Sequence, residues 1–222
     1  MEHIVPIKSI EWVNYNVLGI RTEKPNGYDY RPGQATELSI NQGEWRAEKR
    51  PFTFTNLPSS PDLEFTIKVY PEHKGVTEML SRQEVGEELI LREVFGAITY
   101  KGKGTFLAGG AGATPFIAIL RSLEDQGKID GNILVFANKK EQDIFLKDEF
   151  EWMLGKDFFN VLSQERTAEH AYGMIDKDFL RSLILDFSQY FYVCGPPEMV
   201  DQVVMDLKDL GVKDEKIVQE VS

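Results

Sequence analysis

Up to about residue 101 the apolar positions of this chain come in short runs separated by turn formers. Phe52-Thr-Phe-Thr55 and Leu63-Glu-Phe-Thr-Ile-Lys-Val-Tyr70 alternate with period two, the pattern of half-buried strands. Lys8 to Arg21 holds apolar residues for one or two more, and Ala35 to Ile40 and Glu88 to Val94 complete the set. Pro25-Asn26-Gly27 and Arg31-Pro32-Gly33 read as turns, and only Val76 to Ser81 reads as a short helix. Six or so short strands at this spacing predict a small antiparallel β-barrel.

From Gly104 the period changes. Strand-length apolar runs at 105–109, 132–137, 158–163, 190–194 and 216–219 alternate with helical patterns at about 115–126, 143–154, 176–185 and 197–210. That alternation predicts an α/β doubly wound parallel sheet, with ligands at the carboxyl ends of its strands. Tyr100-Lys-Gly-Lys-Gly104 marks the boundary, so a barrel over 1–101 and an α/β domain over 102–222 are expected.

Composition narrows the function. The chain has 222 residues, 42% of them hydrophobic, and a net charge of −11, which argues against nucleic acid or an anionic membrane surface as partner. The single cysteine, Cys194, excludes an intramolecular disulfide and a four-cysteine iron–sulfur cluster within the chain, and fits a reducing compartment. No signal-peptide pattern opens the sequence and no window is apolar for long enough to cross a bilayer, so a cytoplasmic location is expected. His3, His73 and His170 lack metal-ligand spacing and read as surface residues. Asp143, Asp148, Glu149 and Glu151 read as a solvated helix face, and no metal is expected.

Four stretches carry candidate chemistry. Thr105-Phe-Leu-Ala-Gly109-Gly110-Ala111-Gly112-Ala113-Thr114-Pro115 is a buried strand, a glycine turn and a helix start, with Thr114 as N-cap and Pro115 at the first helical position. Helix starts of this kind hold anions, and glycines let a pyrophosphate approach the backbone; an ordinary βα turn has the same look. In Arg50-Pro51-Phe52-Thr53 the arginine offers a fork for phosphate, Phe52 a face for a flat ring, and Thr53 a hydroxyl for a ring nitrogen; a plain strand start is the alternative. Lys74-Gly75-Val76-Thr77 suits a diphosphate or a normal capped helix. Cys194-Gly195-Pro196-Pro197-Glu198-Met199 is a second sharp strand-to-helix exit, with Cys194 either facing a ligand or serving as a small buried residue.

These four motifs, in this order and spacing, resemble the ferredoxin–NADP reductase / flavodoxin reductase family over nearly the whole chain, from about Lys8 to Glu220. The resemblance implies an FAD-binding barrel followed by a nicotinamide dinucleotide-binding domain. Arg50 would bind the flavin diphosphate, with Pro51 beside it. Phe52 would stand where the family usually has a tyrosine against the flavin, and Thr53 where a serine usually faces its N5. Lys68, Val69 and Tyr70 would line the flavin, and Lys74, Gly75, Val76 and Thr77 would hold the diphosphate. Gly110, Gly112, Ala113 and Thr114 would bind the dinucleotide, with Cys194 beside the nicotinamide and Gly195, Pro196 and Met199 around it. Glu220 matches a near-terminal glutamate that relays a proton with Thr53. The chain stops at Ser222 without the terminal aromatic of many members, which leaves the flavin face open; FAD is expected rather than FMN.

The resemblance implies electron flow from NAD(P)H through FAD to a separate carrier, flavodoxin or ferredoxin, in a monomer. Alternatives are the reductase component of an oxygenase, a free-flavin reductase, or a non-catalytic module that senses flavin and NADH in a larger complex. The acidic net charge tells against an acidic carrier. NADPH-using relatives carry arginines where this chain reads Ser163-Gln164 and Gly173-Met174, and Glu165 would repel a 2′-phosphate, so NADH is expected over NADPH.

Overall fold

The computed structural model describes residues 2–96 and 98–219. Its backbone divides into two compact units, Met1–Ala97 with Thr114–Ser122, and Ile98–Ala113 with Leu123–Ser222.

The first unit holds six strands, β1 (His3–Trp12), β2 (Val17–Glu23), β3 (Ala35–Ile40), β4 (Arg50–Thr53), β5 (Asp62–Lys68) and β6 (Glu88–Phe95), and a short helix α1 (Val76–Leu80). They form one sheet in the order β4-β3-β6-β1-β2-β5, with each neighbouring pair antiparallel. A bridge between Phe54 and Phe65 joins the two outer strands, so the sheet closes on itself and hides both edges. Alternate residues turn inward: Leu18, Ile20, Leu38, Leu63, Phe65 and Leu91 are buried in one cluster, and Tyr30 stacks on Phe54 at 4.2 Å. β1 starts earlier than the apolar run at Lys8 suggests, because His3–Pro6 pairs with Leu91–Glu88 and buries Val5. The two glycine turns form as expected: Tyr28 N–H donates to Pro25 O, and Gln34 N–H to Arg31 O, with Gly27 and Gly33 at φ of 74° and 90°.

The barrel carries one charge cluster. Glu64 on β5 accepts from Arg121 at 2.6 Å, from Arg21 at 2.9 Å and from the Thr55 hydroxyl at 3.1 Å. Arg121 also donates to the Thr55 carbonyl at 2.8 Å. Burial pushes the Glu64 carboxyl up, but Arg121 and then Arg21 outweigh it and hold it below the usual carboxylate range.

In chain order the remaining elements are β7 (Gly104–Gly109), α2 (Thr114–Asp125), β8 (Ile133–Asn138), α3 (Lys147–Leu154), β9 (Phe158–Leu162), β10 (Ala171–Tyr172), α4 (Lys177–Leu183), β11 (Tyr190–Cys194), α5 (Pro197–Asp209) and β12 (Ile217–Gln219). The six strands of the second unit form a parallel sheet in the order β10-β9-β8-β7-β11-β12. Continuous apolar strands fit this burial: every residue of β7 is buried. Inward residues Leu107, Val135, Val161 and Val193 pack with Val203 and Leu207 of α5. The phenol of Tyr192 accepts from the N–H groups of Lys101 and Gly102 and donates to the Gly102 carbonyl, which fixes the chain just before β7.

Two details depart from expectation. The helix read at 143–154 starts only at Lys147. Asp143 is buried and its carboxylate accepts from Lys140 N–H at 3.0 Å, closing a 3₁₀ turn at Glu141–Asp143, and Leu146 adopts φ 54° before α3 begins. Asp143 therefore does not belong to a solvated face. β10, two exposed residues with no apolar run to betray them, is visible only through its pairing with Val161 and Leu162.

Candidate functional site

In the first unit the candidate residues gather where the outer strands meet. Arg50 and Pro51 are exposed at the start of β4; Phe52 and Thr53, opposite Thr36 and Ala35, are half-buried. The Arg50 guanidinium is loosely held, donating to the Lys49 carbonyl at 2.8 Å and standing 3.5 Å from the half-exposed carboxylate of Glu48. Phe54, the residue after Thr53, makes the closing bridge to β5, which runs on to Lys68, Val69 and Tyr70. Tyr70 N–H donates to the Thr77 hydroxyl at 3.4 Å, which ties the end of β5 to the start of α1. Burial raises the Tyr70 phenol above its usual range, and its ring stacks on His73.

Between them lies Lys74-Gly75. Lys74 takes the left-handed conformation at φ 45°. Gly75 does not: its backbone is extended, at φ −107° and ψ −165°, where any residue is comfortable. A Cβ added there would meet only the His73 carbonyl oxygen, at 3.9 Å. Among the described residues nothing requires glycine at this point, so the backbone is left open to a close approach.

In the second unit the same residue type is used differently. A Cβ on Gly112 would lie 2.3 Å from the Cys194 carbonyl oxygen and 2.5 Å from Gly195 N. One on Gly109 would lie 2.3 Å from the Met199 sulfur and 2.9 Å from Pro196 Cδ. One on Gly195 would press on the Gly109 backbone at 3.1 Å. The exits of β7 and β11 thus pack backbone to backbone, and Gly110 turns the chain at φ 50°. Ala113 is buried, Thr114 is the first residue of α2, and half-buried Cys194 ends β11. The carboxyl ends of β7 and β11 are neighbours, as a ligand crevice in a doubly wound sheet needs.

The loop after β9 follows alongside. Ser163 N–H donates to Asn138 O, and Gln164 N–H to Lys139 O at 2.9 Å, leaving the Gln164 side chain exposed. Glu165 accepts from Glu141 N–H at 2.7 Å, and the Arg166 guanidinium lies 3.8 Å from the centre of the Tyr172 ring. Sequence reasoning missed Asn138, which is buried at the carboxyl end of β8 with no hydrogen bond to its side chain. It also missed that the His170 side chain is buried, contrary to the surface reading, because neither residue breaks the local pattern. Glu220 lies outside the described residues.

A closed antiparallel barrel and a parallel sheet with two packed glycine exits make up the two units. Residues 3–101 match the family model described as an FAD-binding domain, and residues 106–205 the one described as an oxidoreductase NAD-binding domain. The chain is 30% identical over 200 residues to the propane 2-monooxygenase reductase component of Mycolicibacterium goodii, an alignment covering 83% of this chain and 56% of that protein. It therefore spans little more than half the length of that curated relative. Among solved structures it superposes on the flavohem-like FAD/NAD-binding domain of a Vibrio cholerae nitric oxide dioxygenase with a TM-score of 0.86, at 22% identity, covering 99% of this chain and 98% of that one. A ferredoxin NADP+ reductase from Neisseria gonorrhoeae, solved with FAD and NADP, gives 0.82 at 17% identity, with 98% and 97% coverage. The chain belongs to the ferredoxin–NADP reductase-like family, with an FAD-binding domain followed by an NAD-binding domain.

Proposed function

We propose that this chain is a flavin-dependent NAD(P)H oxidoreductase that passes electrons to a separate one-electron carrier. The observation that carries the reading is the succession of an FAD-binding and an NAD-binding domain in one chain. We divide these at 1–101 and 102–222.

Gly75 supports a flavin in the barrel: a Cβ added there would meet nothing closer than 3.9 Å among the described residues. Bound FAD would supply the exchange between hydride and single-electron chemistry that no side chain here provides. Arg50 and the backbone N–H groups at Gly75, Val76 and Thr77 neutralise and hold its diphosphate, with Lys74 adding charge. Pro51 and Phe52 present apolar surface to the ring, Thr53 holds a hydroxyl toward N5, and Lys68, Val69 and Tyr70 line the pocket through backbone groups. Phe52 offers no phenolic hydrogen bond. Gly110, Gly112, Ala113 and Thr114 receive the dinucleotide; Cys194, Gly195, Pro196 and Met199 position the nicotinamide.

NADH is the preferred donor. Gln164 brings no positive charge, Arg166 is engaged on Tyr172, and Glu165 points a carboxylate into the same loop. Lys139, whose carbonyl accepts from Gln164 N–H, and Lys140 are the cations beside this loop that a 2′-phosphate would meet.

The acceptor is flavodoxin, ferredoxin or a similar carrier, and the protein works as a cytoplasmic monomer. The name of the Mycolicibacterium relative favours a second reading, the reductase component of an oxygenase. One experiment tests the core: reconstitution with FAD, followed by NADH-driven reduction of ferricyanide. A colourless protein that takes up no flavin overturns both readings; flavin uptake without turnover leaves the sensing module instead.

A further inference from the structure

Glu141, Glu169 and His170 come from two segments of the second unit, the 3₁₀ turn after β8 and the loop before β10. Two carboxylate oxygens and one imidazole nitrogen from these residues all lie within 4.8 Å of one another. His170 supplies a second, separate observation. Its side chain is only 6% exposed, and among the described residues its Nε2 makes no hydrogen bond, its nearest carboxylate oxygen being Glu141 Oε1 at 3.3 Å. A buried ring nitrogen that faces a carboxylate without a hydrogen bond calls for a group that would join the two.

We infer that Glu141, Glu169 and His170 form a binding site for a divalent transition-metal ion of the zinc class. Zinc binds nitrogen and carboxylate oxygen at about 2.0–2.2 Å, which in a tetrahedron sets donors about 3.3–3.6 Å apart. The His170–Glu141 separation already matches that spacing. Two carboxylates and a neutral imidazole balance a double positive charge, and imidazole selects against magnesium and calcium. Lys147 is the competing cation: its Nζ lies 3.6 Å from Glu169 and 3.7 Å from Glu151. A bound ion takes Glu169 from it. His170 and Glu169 also line a cleft of about 490 Å³ with Asn160, whose buried Oδ1 lacks a partner, so the fourth position can open on water there. Occupancy ties the loop before β10 to the turn that holds Glu165. None of this depends on the flavin reading.

The test is competition for Zn²⁺ between the full chain and a chromophoric chelator. Wild type, Glu141→Gln, Glu169→Gln and His170→Ala are compared, with Cys194→Ser as a control for the lone thiol. Changes to groups that only orient a metal ligand cost about 10–100-fold, so loss of a ligand itself should weaken binding by about 100-fold or more. The expected result is one tight Zn²⁺ in wild type and Cys194→Ser, lost in the other three. Because His170 is buried, Glu141→Gln, exposed and monitored by circular dichroism, decides if His170→Ala misfolds. Added Zn²⁺ should raise the melting temperature of wild type but not of Glu141→Gln. Equal affinity in wild type and Glu141→Gln, no binding in wild type, or loss only in Cys194→Ser overturns the site.

Discussion

The two glycine-bearing cradles look alike in sequence and are built on opposite principles. At the exits of β7 and β11, Gly109, Gly112 and Gly195 are glycines because protein atoms fill the space a side chain would need. At the start of α1, Gly75 faces nothing closer than 3.9 Å. Glycine in the first place is a packing device, and its removal damages the fold. Glycine in the second is spare as far as the fold is concerned, and its removal should damage only what binds. The strongest way to break this contrast is the pair Gly112→Ala and Gly75→Ala. A methyl at Gly112 lands on a backbone carbonyl that cannot rotate away, and should cost about 3 kcal/mol or more, read as lost soluble yield or a lowered urea midpoint. Alanine at Gly75, in a conformation alanine accepts, should leave stability unchanged or raise it by about 0.4–1 kcal/mol. Comparable destabilisation by the two would erase the distinction.

A cradle free of structural duty requires the barrel to be held elsewhere, and Glu64 with its two arginines is the place. Arg121→Met leaves a buried carboxylate short of its main partner and should cost about 1–3 kcal/mol at neutral pH, less than a fully buried pair because both groups retain some exposure. The sign with pH follows from a folded-state pKa below the unfolded one. The cluster's contribution is complete above the ordinary carboxylate value and fades as pH falls through the lower folded value. Wild type and Arg121→Met should therefore converge in acid. A gap that persists there assigns the loss to packing of the arginine stem instead.

The third test returns to the open cradle. Gly75→Ala should weaken FAD binding by about tenfold, or ~1.4 kcal/mol, by fluorescence titration of the flavin. Unchanged affinity would mean that the diphosphate does not approach this backbone. Thr53→Val should slow flavin reduction in stopped flow while flavin affinity stays within a factor of about three, since one neutral hydrogen bond is worth ~1 kcal/mol.

How much of this was legible follows the same division. Period-two and helical runs exposed both sheets, because strand burial writes itself into local pattern; β3 and β11 fall where the runs place them. The glycine turns were visible, but not their reason, since the contact between Gly112 and Cys194 joins residues far apart in the chain. His170, Asn138 and Asp143 were misread or passed over for a related cause: a polar residue in a loop looks solvated until the fold buries it. β10 has no apolar signal at all, and exists only as a partner of β9. Arg121 was passed over, since nothing in its own helix points to the Glu64 carboxylate it meets on β5.

The smallest expected effect concerns the loop after β9, where charge decides. Gln164 is exposed and anchored only through its backbone, so its side chain can change without disturbing the sheet. Gln164→Arg adds a fork for a 2′-phosphate next to Glu165, whose carboxylate is occupied by Glu141 N–H and so repels less than a free one. The substitution should raise kcat/KM for NADPH relative to NADH by about tenfold, ~1.4 kcal/mol, with little change in flavin content. Glu165→Gln should move the ratio the same way by less, because its charge is partly compensated. If Gln164→Arg changes neither substrate, the adenosine end of the dinucleotide does not reach this loop, and the charge argument for NADH falls with it.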